Sequence, residues 1–306
     1  MAARKAPASL KAAKSPIAAP VARILLATDG GRESDGALRV VAALGRRPGT
    51  SITVVAVVTP FPHNLASIAR PDQPVAIDER SRRDMQAVVE RRLRELPGAE
   101  EWPVQVIVGW PPDAINAVAR NWDATLIVLG IGRHRRVDRL FGSETAIAVM
   151  RHARIPVLAV APSAHGPPRN VIAAMDFTQA SASSAELALQ LMARDGTLTL
   201  THASSFTGRG HALGGLADLY TTGARTRLEE ARRRLQRRAR TKIATAIVEG
   251  EAGQALLRYA RERDADLIAL GGHELGLMDR ILLGSVRTRV VRAAACSVLI
   301  APPRAG

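Results

Sequence analysis

The sequence contains two copies of one pattern. An apolar run that ends in Asp29 returns as a run that ends in Asp176, and a later apolar run that ends in Gly130 returns as one that ends in Gly271. The copies lie about 140 residues apart. A period of this length is too long for a solenoid repeat and favours two tandem copies of one domain.

The repeat predicts the domain organisation of the chain. The first domain is predicted at 21–163 and the second at 169–302, joined by a linker at 164–168 that contains Gly and Pro. Residues 1–20 carry four basic side chains and no acidic one, with many Ala and Pro, and predict a disordered basic tail. A transit peptide is the less favoured interpretation of this tail.

Each copy alternates short apolar strands with amphipathic helices. Strands rich in Val, Ile and Leu that alternate with helices are typical of a parallel sheet covered on both faces. In the first copy the predicted strands are 23–28, 52–58, 104–108, 124–129 and 156–160, and the helices are 34–46, 78–96, 112–121 and 142–153. In the second copy the strands are 170–175, 197–203, 243–248, 265–270 and 297–301, and the helices are 179–193, 217–240, 252–262 and 284–294. Each copy also has a long irregular segment after its second strand, at 60–77 and 204–224.

Composition limits the compartment and the partners. The net charge is +15 and comes almost entirely from Arg, which favours anionic partners without naming them. Cys296 is the single cysteine, so the chain forms no internal disulfide and fits a reducing compartment. No run approaches the roughly 18 apolar residues of a membrane span. We therefore expect a cytoplasmic protein without a membrane span.

Acidic residues and glycines coincide at the ends of predicted strands. In an open parallel sheet, ligands bind outside the carboxyl ends of the strands, where the strand order reverses. Asp29 and Asp176 end the first strand of each copy, and Gly130 and Gly271 end the fourth. A carboxylate there can accept hydrogen bonds from ribose hydroxyls, and glycines let backbone N–H groups approach phosphate oxygens. The alternative role for both Asp residues is to cap the next helix.

Further motifs resemble the universal stress protein family. In the second copy, the strand that ends in Asp176 is followed by Gly-His-Glu-Leu-Gly-Leu-Met-Asp-Arg-Ile-Leu-Leu-Gly-Ser-Val-Arg at 272–287 and by Cys-Ser-Val-Leu-Ile at 296–300. The first copy matches at 27–30, 108–109, 142–143 and 151–157. The resemblance implies an α/β fold of two tandem doubly wound domains, each a five-stranded parallel sheet of order 3-2-1-4-5 with helices on both faces. It also implies an intramolecular domain pair joined through the final strands, and it leaves a homodimer open.

The resemblance also implies ATP binding, through the pattern Gly, two residues, Gly, nine residues, then Gly and Ser or Thr. The second copy keeps Gly271, Gly284 and Ser285 at the right separation, but Glu274 replaces the middle glycine. A carboxylate at that position would repel phosphate oxygens unless a divalent cation such as Mg²⁺ bridges them.

The first copy matches the phosphate pattern less well. Aligned without gaps, Arg133 replaces the middle glycine and the final pair becomes Ser143 and Glu144. With one deletion and one insertion, Gly132 and the pair Gly142 and Ser143 fall into the pattern instead. The basic run at 133–136 either forms an exposed turn or binds phosphates electrostatically. We expect the second copy to have the better pocket.

The resemblance assigns a role to each candidate residue. Asp176 and Asp29 would bind the nucleoside, while residues at strand ends would line the base pocket. The phosphate residues are Gly271, Gly284, Ser285 and the adjoining Val286 in the second copy, with Gly130, Gly132, Gly142 and Ser143 in the first. The strand-end residues are Ala174, Ala203, Ala27 and Val57.

These observations lead to one main functional hypothesis and one alternative. The main hypothesis is a stress-response regulator that binds an adenine nucleotide, ATP with or without Mg²⁺, and is at most a slow ATPase. The alternative is a scaffold that does not bind nucleotides and holds unidentified protein or anionic partners through the Arg-rich helices at 78–96 and 225–242. Nucleic acid is not favoured, because aromatic residues form only 3% of the chain and base stacking needs them. The seven histidines are scattered without metal-ligand spacing, so no metal site is expected.

Overall fold

The strands of the two repeats form one continuous sheet. The computed structural model describes residues 20–59, 79–132, 143–205, 214–272 and 286–302, with 214–217 as backbone alone. The strands are β1 Arg23–Ala27, β2 Ser51–Val58, β3 Val104–Val108, β4 Leu126–Gly130, β5 Val157–Val160, β6 Asn170–Ala174, β7 Thr197–Ser204, β8 Lys242–Glu249, β9 Leu267–Gly271 and β10 Ser297–Ala301. The helices are α1 Asp35–Gly45, α2 Glu79–Arg94, α3 Pro111–Asn121, α4 Ser143–His152, α5 Gln179–Leu191, α6 Gly214–Gln236, α7 Ala252–Glu262 and α8 Val286–Ala293.

The strand order is β3-β2-β1-β4-β5-β10-β9-β6-β7-β8. Each half is parallel and has the predicted order 3-2-1-4-5, so the predicted fold class is confirmed. The halves join where β5 pairs antiparallel with β10, with Val157 opposite Ile300 and Ala159 opposite Val298. All strands of one half therefore run against those of the other, and the carboxyl ends of the two halves point in opposite directions.

Helices cover both faces of the sheet because the strands are apolar on both sides. Ile24 and Leu26 of β1 pack into a core with α1, α2, α5 and α6. Leu25 and Ala27 of the same strand pack on the other face with α3, α4, α7 and α8. This double burial explains the continuous apolar runs, which lack the alternation of a half-exposed strand.

The element boundaries differ from the predictions at a few informative places. Strands β4 and β9 begin at Leu126 and Leu267, two residues later than predicted, after turns in which Asp123 and Asp264 adopt positive φ angles of 49° and 47°. The irregular segment predicted at 204–224 is also wrong in its second part, since α6 begins at Gly214. The segment predicted at 60–77 lies outside the described residues.

Polar contacts support the junction of the two halves. The Arg47 guanidinium donates to the carbonyls of Gln190 and Leu191, the last of helix α5, where a cation complements the helix dipole. Arg292 of α8 forms a two-pronged ion pair with Glu144 of α4, at 2.7 and 3.0 Å. The hydrogen bond from Arg292 lowers the pKa of Glu144. Among the described residues, no helix is both long and apolar enough to cross a membrane.

Candidate functional site

A cavity of about 270 Å³ opens at the carboxyl ends of the strands in the second half. It lies at the point where the order reverses between β6 and β9, as the sheet topology predicts for a ligand site. Its lining residues are Ala174, Met175, Asp176, Ser181, Thr201, His202, Ala203, Ala252, Leu256, Leu270, Gly271, Val286 and Arg287. The structure thus brings together Ala174, Asp176, Ala203, Gly271 and Val286, whereas Gly284 and Ser285 lie outside the described residues.

Asp176 stands at the mouth of this cavity, two residues beyond the end of β6. Its Oδ1 accepts hydrogen bonds from the Thr178 N–H at 3.0 Å and from the Thr178 hydroxyl at 2.6 Å. Thr178 itself caps helix α5, because its hydroxyl oxygen accepts from the Ser181 N–H at 3.3 Å. Asp176 is therefore not the helix cap. It orients the cap, and its carboxylate is exposed at the cavity.

Gly271 ends β9 against the first turn of helix α5. A Cβ atom at position 271 would lie 2.7 Å from the Ala180 carbonyl carbon and 2.9 Å from the Ser181 Cα, distances that no side chain tolerates. The glycine is thus required by close approach of two backbone segments of this chain. This packing brings Ser181 and the Asp176 turn to the end of β9, where they share the cavity with Gly271.

The cavity joins an apolar slot to a polar rim. Ala174, Leu256 and Leu270 form apolar walls, while the polar groups are Asp176, Ser181, Thr201, His202 and Arg287. Apolar walls with a few convergent polar groups are typical of small-molecule sites. Apolar walls can pack against a ring, a carboxylate can accept hydrogen bonds from hydroxyls, and the guanidinium of Arg287, in the first turn of α8, can bind an anion.

His202 lies in the wall with both ring nitrogens engaged. Its Nδ1 is 2.7 Å from the Met175 carbonyl oxygen, to which it donates, and its Nε2 is 3.0 Å from the Tyr220 hydroxyl. The ring also packs against Phe177, with centroids 4.7 Å apart. The histidine is 7% exposed and its hydrogen bonds are satisfied, so it shapes the cavity rather than offering a free base.

The corresponding edge of the first half has a different arrangement. Ala27 and Val57 are buried at the ends of β1 and β2. The Asp29 Oδ1 accepts from the Gly31 N–H at 2.9 Å and does not cap a helix. Gly130 lies beside the segment that follows Asp29, since a Cβ there would be 3.0 Å from the Ser34 Cα. Ser143 begins α4, and Gly142 lies outside the described residues.

Glu33 occupies the space next to Gly132 in the first half. A Cβ atom at position 132 would overlap the Glu33 carboxylate, which shows how closely this side chain lies over the glycine. Counting from Asp29 and Asp176, the residue equivalent to Glu33 in the second half is Ala180. The first half therefore has an acidic side chain at this edge, and the second half has a methyl group at the equivalent position.

Several lining residues were not predicted from the sequence. Thr201 pairs in register with Ala174, so the end of the second strand was the available signal for Thr201 and His202. Met175 and Leu270 adjoin predicted residues. Ser181, Ala252, Leu256 and Arg287 come from the helices that follow three different strands, and only the folded chain brings them together.

A second cavity lies at the opposite edge of the same half. It measures about 300 Å³ and is lined mainly by apolar residues near the amino ends of β9 and β10, with the half-buried Cys296 among them. Its volume is slightly larger than that of the first cavity. It does not, however, lie at the carboxyl ends of the strands, where the strand order reverses and Asp176 is found. Within the described part of the chain, no group of three or more His, Cys, Asp or Glu residues could hold a metal ion.

Comparisons with known proteins agree with this architecture. The model of the universal stress protein family matches residues 20–161 and again residues 168–302. A universal stress protein of Methanocaldococcus jannaschii is 41% identical over 59 residues, which cover 19% of this chain and 35% of that protein. The match thus spans about a third of the length of that curated relative.

Solved structures match nearly the whole chain. A universal stress protein from Archaeoglobus fulgidus has a TM-score of 0.61 at 20% identity, covering 92% of this chain and 98% of that one. A protein of unknown function from Pseudomonas aeruginosa has a TM-score of 0.55 at 16% identity, covering 92% and 93%. These likenesses bear on the fold alone, whereas the family model matches both repeats. The chain belongs to the universal stress protein family, with two copies of the family domain in one polypeptide.

Proposed function

We propose that the second half of the chain binds an adenine nucleotide, ATP with or without Mg²⁺, in the cavity between β6 and β9. The observation that carries this proposal is the cavity itself, in which a carboxylate, an apolar slot and a cation share about 270 Å³. A slot of that size with these groups suits a nucleoside and the beginning of its phosphate chain.

Each part of the nucleotide has a partner in this proposal. The adenine ring packs against Ala174, Ala203 and Leu256, and the ribose hydroxyls donate to Asp176. The phosphates extend towards Arg287, with the remaining contacts from Gly271, Val286 and the adjoining Gly284 and Ser285. Mg²⁺, when bound, would neutralise phosphate charge beside Glu274.

The first half is proposed to bind nucleotide weakly or not at all. Glu33 lies over Gly132, so its carboxylate would face the phosphates. Like charges at this range repel one another, and the Glu33 side chain also fills the space. In this proposal the chain is a nucleotide-dependent regulator of a stress response in the cytoplasm, with one nucleotide site.

Calorimetric titration with ATP and Mg²⁺ tests the proposal. Wild-type protein should bind close to one nucleotide per chain. Asp176→Ala should bind about 10- to 100-fold more weakly, because a charge-assisted hydrogen bond is lost.

Asp29→Ala is the matched control for this titration, since it removes the equivalent carboxylate from the first half. Its affinity and stoichiometry should equal those of the wild type. Unchanged affinity in Asp176→Ala, or a loss in Asp29→Ala instead, would refute the assignment of the site.

A further inference from the structure

Five exposed cations form a cluster at the amino ends of β7 and β8. Arg237, Arg238, Arg240 and Lys242 lie in and just after the turn between α6 and β8, and Arg194 lies in the neighbouring turn between α5 and β7. We call these five residues the basic edge. The two turns are in contact, since the Thr241 hydroxyl reaches the Arg194 carbonyl at 3.5 Å.

The turn that carries most of the basic edge is fixed by hydrogen bonds and burial. The Gln236 side chain donates to the carbonyls of Ala239 and Thr241, both at 3.0 Å. Ala239 packs on the core and Thr241 is 7% exposed, so these two residues point inwards. The cations between and beside them point outwards on a preorganised loop, which lowers the entropy cost of binding.

The charge of the basic edge is not neutralised within the described part of the chain. Other arginines of helix α6 are paired, such as Arg232 with Glu229 at 2.8 Å and Arg234 with Glu186 at 3.8 Å. None of the five cations of the basic edge forms an ion pair with a described residue. Uncompensated cations fixed on one rigid surface create a local positive potential that attracts anions.

The positive charge of the basic edge also acts on the neighbouring Arg47. Burial lowers the pKa of Arg47, and the positive charge of Arg194 lowers it further. The Arg47 side chain meets the carbonyls at the end of helix α5, just before Arg194 in the chain. Arg47 therefore lies within electrostatic range of Arg194, between the basic edge and the junction of the two halves.

We infer that the basic edge binds the phosphate backbone of double-stranded nucleic acid without reading its base sequence. Four of its five cations are guanidinium groups, whose forked donors match phosphate oxygens. The exposed large apolar residues of the described chain, Val88, Trp110, Leu219 and Tyr220, lie on other elements. The basic edge thus has no aromatic platform for single-stranded bases and no apolar anchor for a membrane.

The basic edge is separate from the proposed nucleotide site. The basic edge lies at the amino ends of strands in the second half, whereas the cavity lies at their carboxyl ends. The low aromatic content argues against base stacking, but contacts to a duplex backbone need no stacking. A variant can therefore lose one activity and keep the other.

The experiment measures anisotropy of a labelled DNA duplex of about 30 base pairs, titrated with the full-length chain between about 0.05 and 0.2 M salt. The test variant combines Arg237→Gln, Arg238→Gln, Arg240→Gln and Lys242→Gln. It should bind the duplex at least about tenfold more weakly at the higher salt concentration. The slope of log affinity against log salt concentration should fall in magnitude by up to about 3.6 if all four residues contact phosphates.

The control variant removes the same charge from four dispersed, exposed arginines: Arg91→Gln, Arg120→Gln, Arg154→Gln and Arg261→Gln. Its affinity for the duplex should fall less than about threefold, because exposed charges beyond a Debye length of about 8 Å are screened. Both variants should bind ATP as the wild type does. Equal losses of duplex affinity in the two variants would overturn the inference. Binding of the wild-type chain to anionic phosphatidylserine vesicles, but not to the duplex, would also overturn it.

Discussion

One pair of equivalent residues distinguishes the two strand-end edges. Glu33 covers the glycine that follows β4, and Ala180 occupies the equivalent place in the second half. The two turns share a positive φ angle, 72° at Gly30 and 64° at its counterpart Phe177, but they lead into their helices differently, since Thr178 caps the helix in the second half alone. Under the proposed function, the acidic side chain of Glu33 is one cause of weaker nucleotide binding by the first half.

Ala180→Glu should abolish most nucleotide binding by the second half. The introduced carboxylate would stand where Glu33 stands in the first half, repel the phosphates and narrow the cavity. We expect at least about tenfold weaker binding of ATP by calorimetry. Ala180→Gln is the control, since it adds similar bulk without charge. It should lose less affinity for ATP than Ala180→Glu. Wild-type affinity in Ala180→Glu would contradict this explanation.

Glycines at strand ends have two kinds of explanation, and the structure distinguishes them. Gly271 was predicted to admit phosphate oxygens, yet its missing side chain is explained by contact with the backbone of helix α5. Sequence patterns identify where small residues occur. They do not say whether a ligand or another segment of the chain makes the close approach.

At the scale of helices and strands, the sequence predicted nearly all of the described fold. Apolar runs bounded by polar turns gave every strand, because burial on both faces leaves a strong compositional signal. The end of α6 was predicted at 240 and lies at Gln236, where that side chain caps the following turn. Such a cap depends on the orientation of one side chain, which helical periodicity does not encode.

The candidate site was less predictable than the fold. Residues at strand ends were identified because the topology fixes where they meet. His202 of β7 is held in the cavity wall by a hydrogen bond to Tyr220, which comes from helix α6. Arg287 was not predicted in the cavity, because its position depends on how α8 packs at the end of the sheet.

Helix α7 offers a test of local stability. Both carboxylate oxygens of Glu251 accept backbone N–H groups, from Gly253 and Gln254 at 3.1 Å, and the group also pairs with Arg289. Glu251→Ala should lower the free energy of unfolding by about 1 kcal/mol, measured by urea denaturation at neutral pH. Glu262→Ala, at the exposed end of the same helix, should cost less than about 0.5 kcal/mol.

The stabilisation by Glu251 should depend on pH in a defined direction. Partial burial raises its pKa, but the hydrogen bonds from Gly253 and Gln254 and the charge of Arg289 outweigh burial, so the pKa is lowered in the folded protein. The contribution is complete above the pKa of the unfolded chain and is lost as the pH falls through the folded pKa. The difference between wild type and Glu251→Ala should therefore shrink in acid. A constant difference would contradict the role of the charged form.

At the scale of the whole molecule, the antiparallel junction separates the two edges that could hold ligands. The β5–β10 pairing directs the carboxyl ends of the halves in opposite directions, so a nucleotide in the second half cannot share contacts with Asp29. The same junction leaves β3 and β8 as the outer strands of the sheet. The cavity between β6 and β9 and the basic edge then occupy opposite ends of the second half.

Photoaffinity labelling with 8-azido-ATP, followed by peptide mass spectrometry, tests the central claim most directly. The reagent places a reactive group on the adenine ring, so it marks the walls of whichever cavity holds the base. We predict labelled peptides that contain Ala174, Ala203 or Leu256, and loss of labelling when ATP is in excess. Labelling of the first half around Ala27 and Val57, or none that ATP can prevent, would contradict the account.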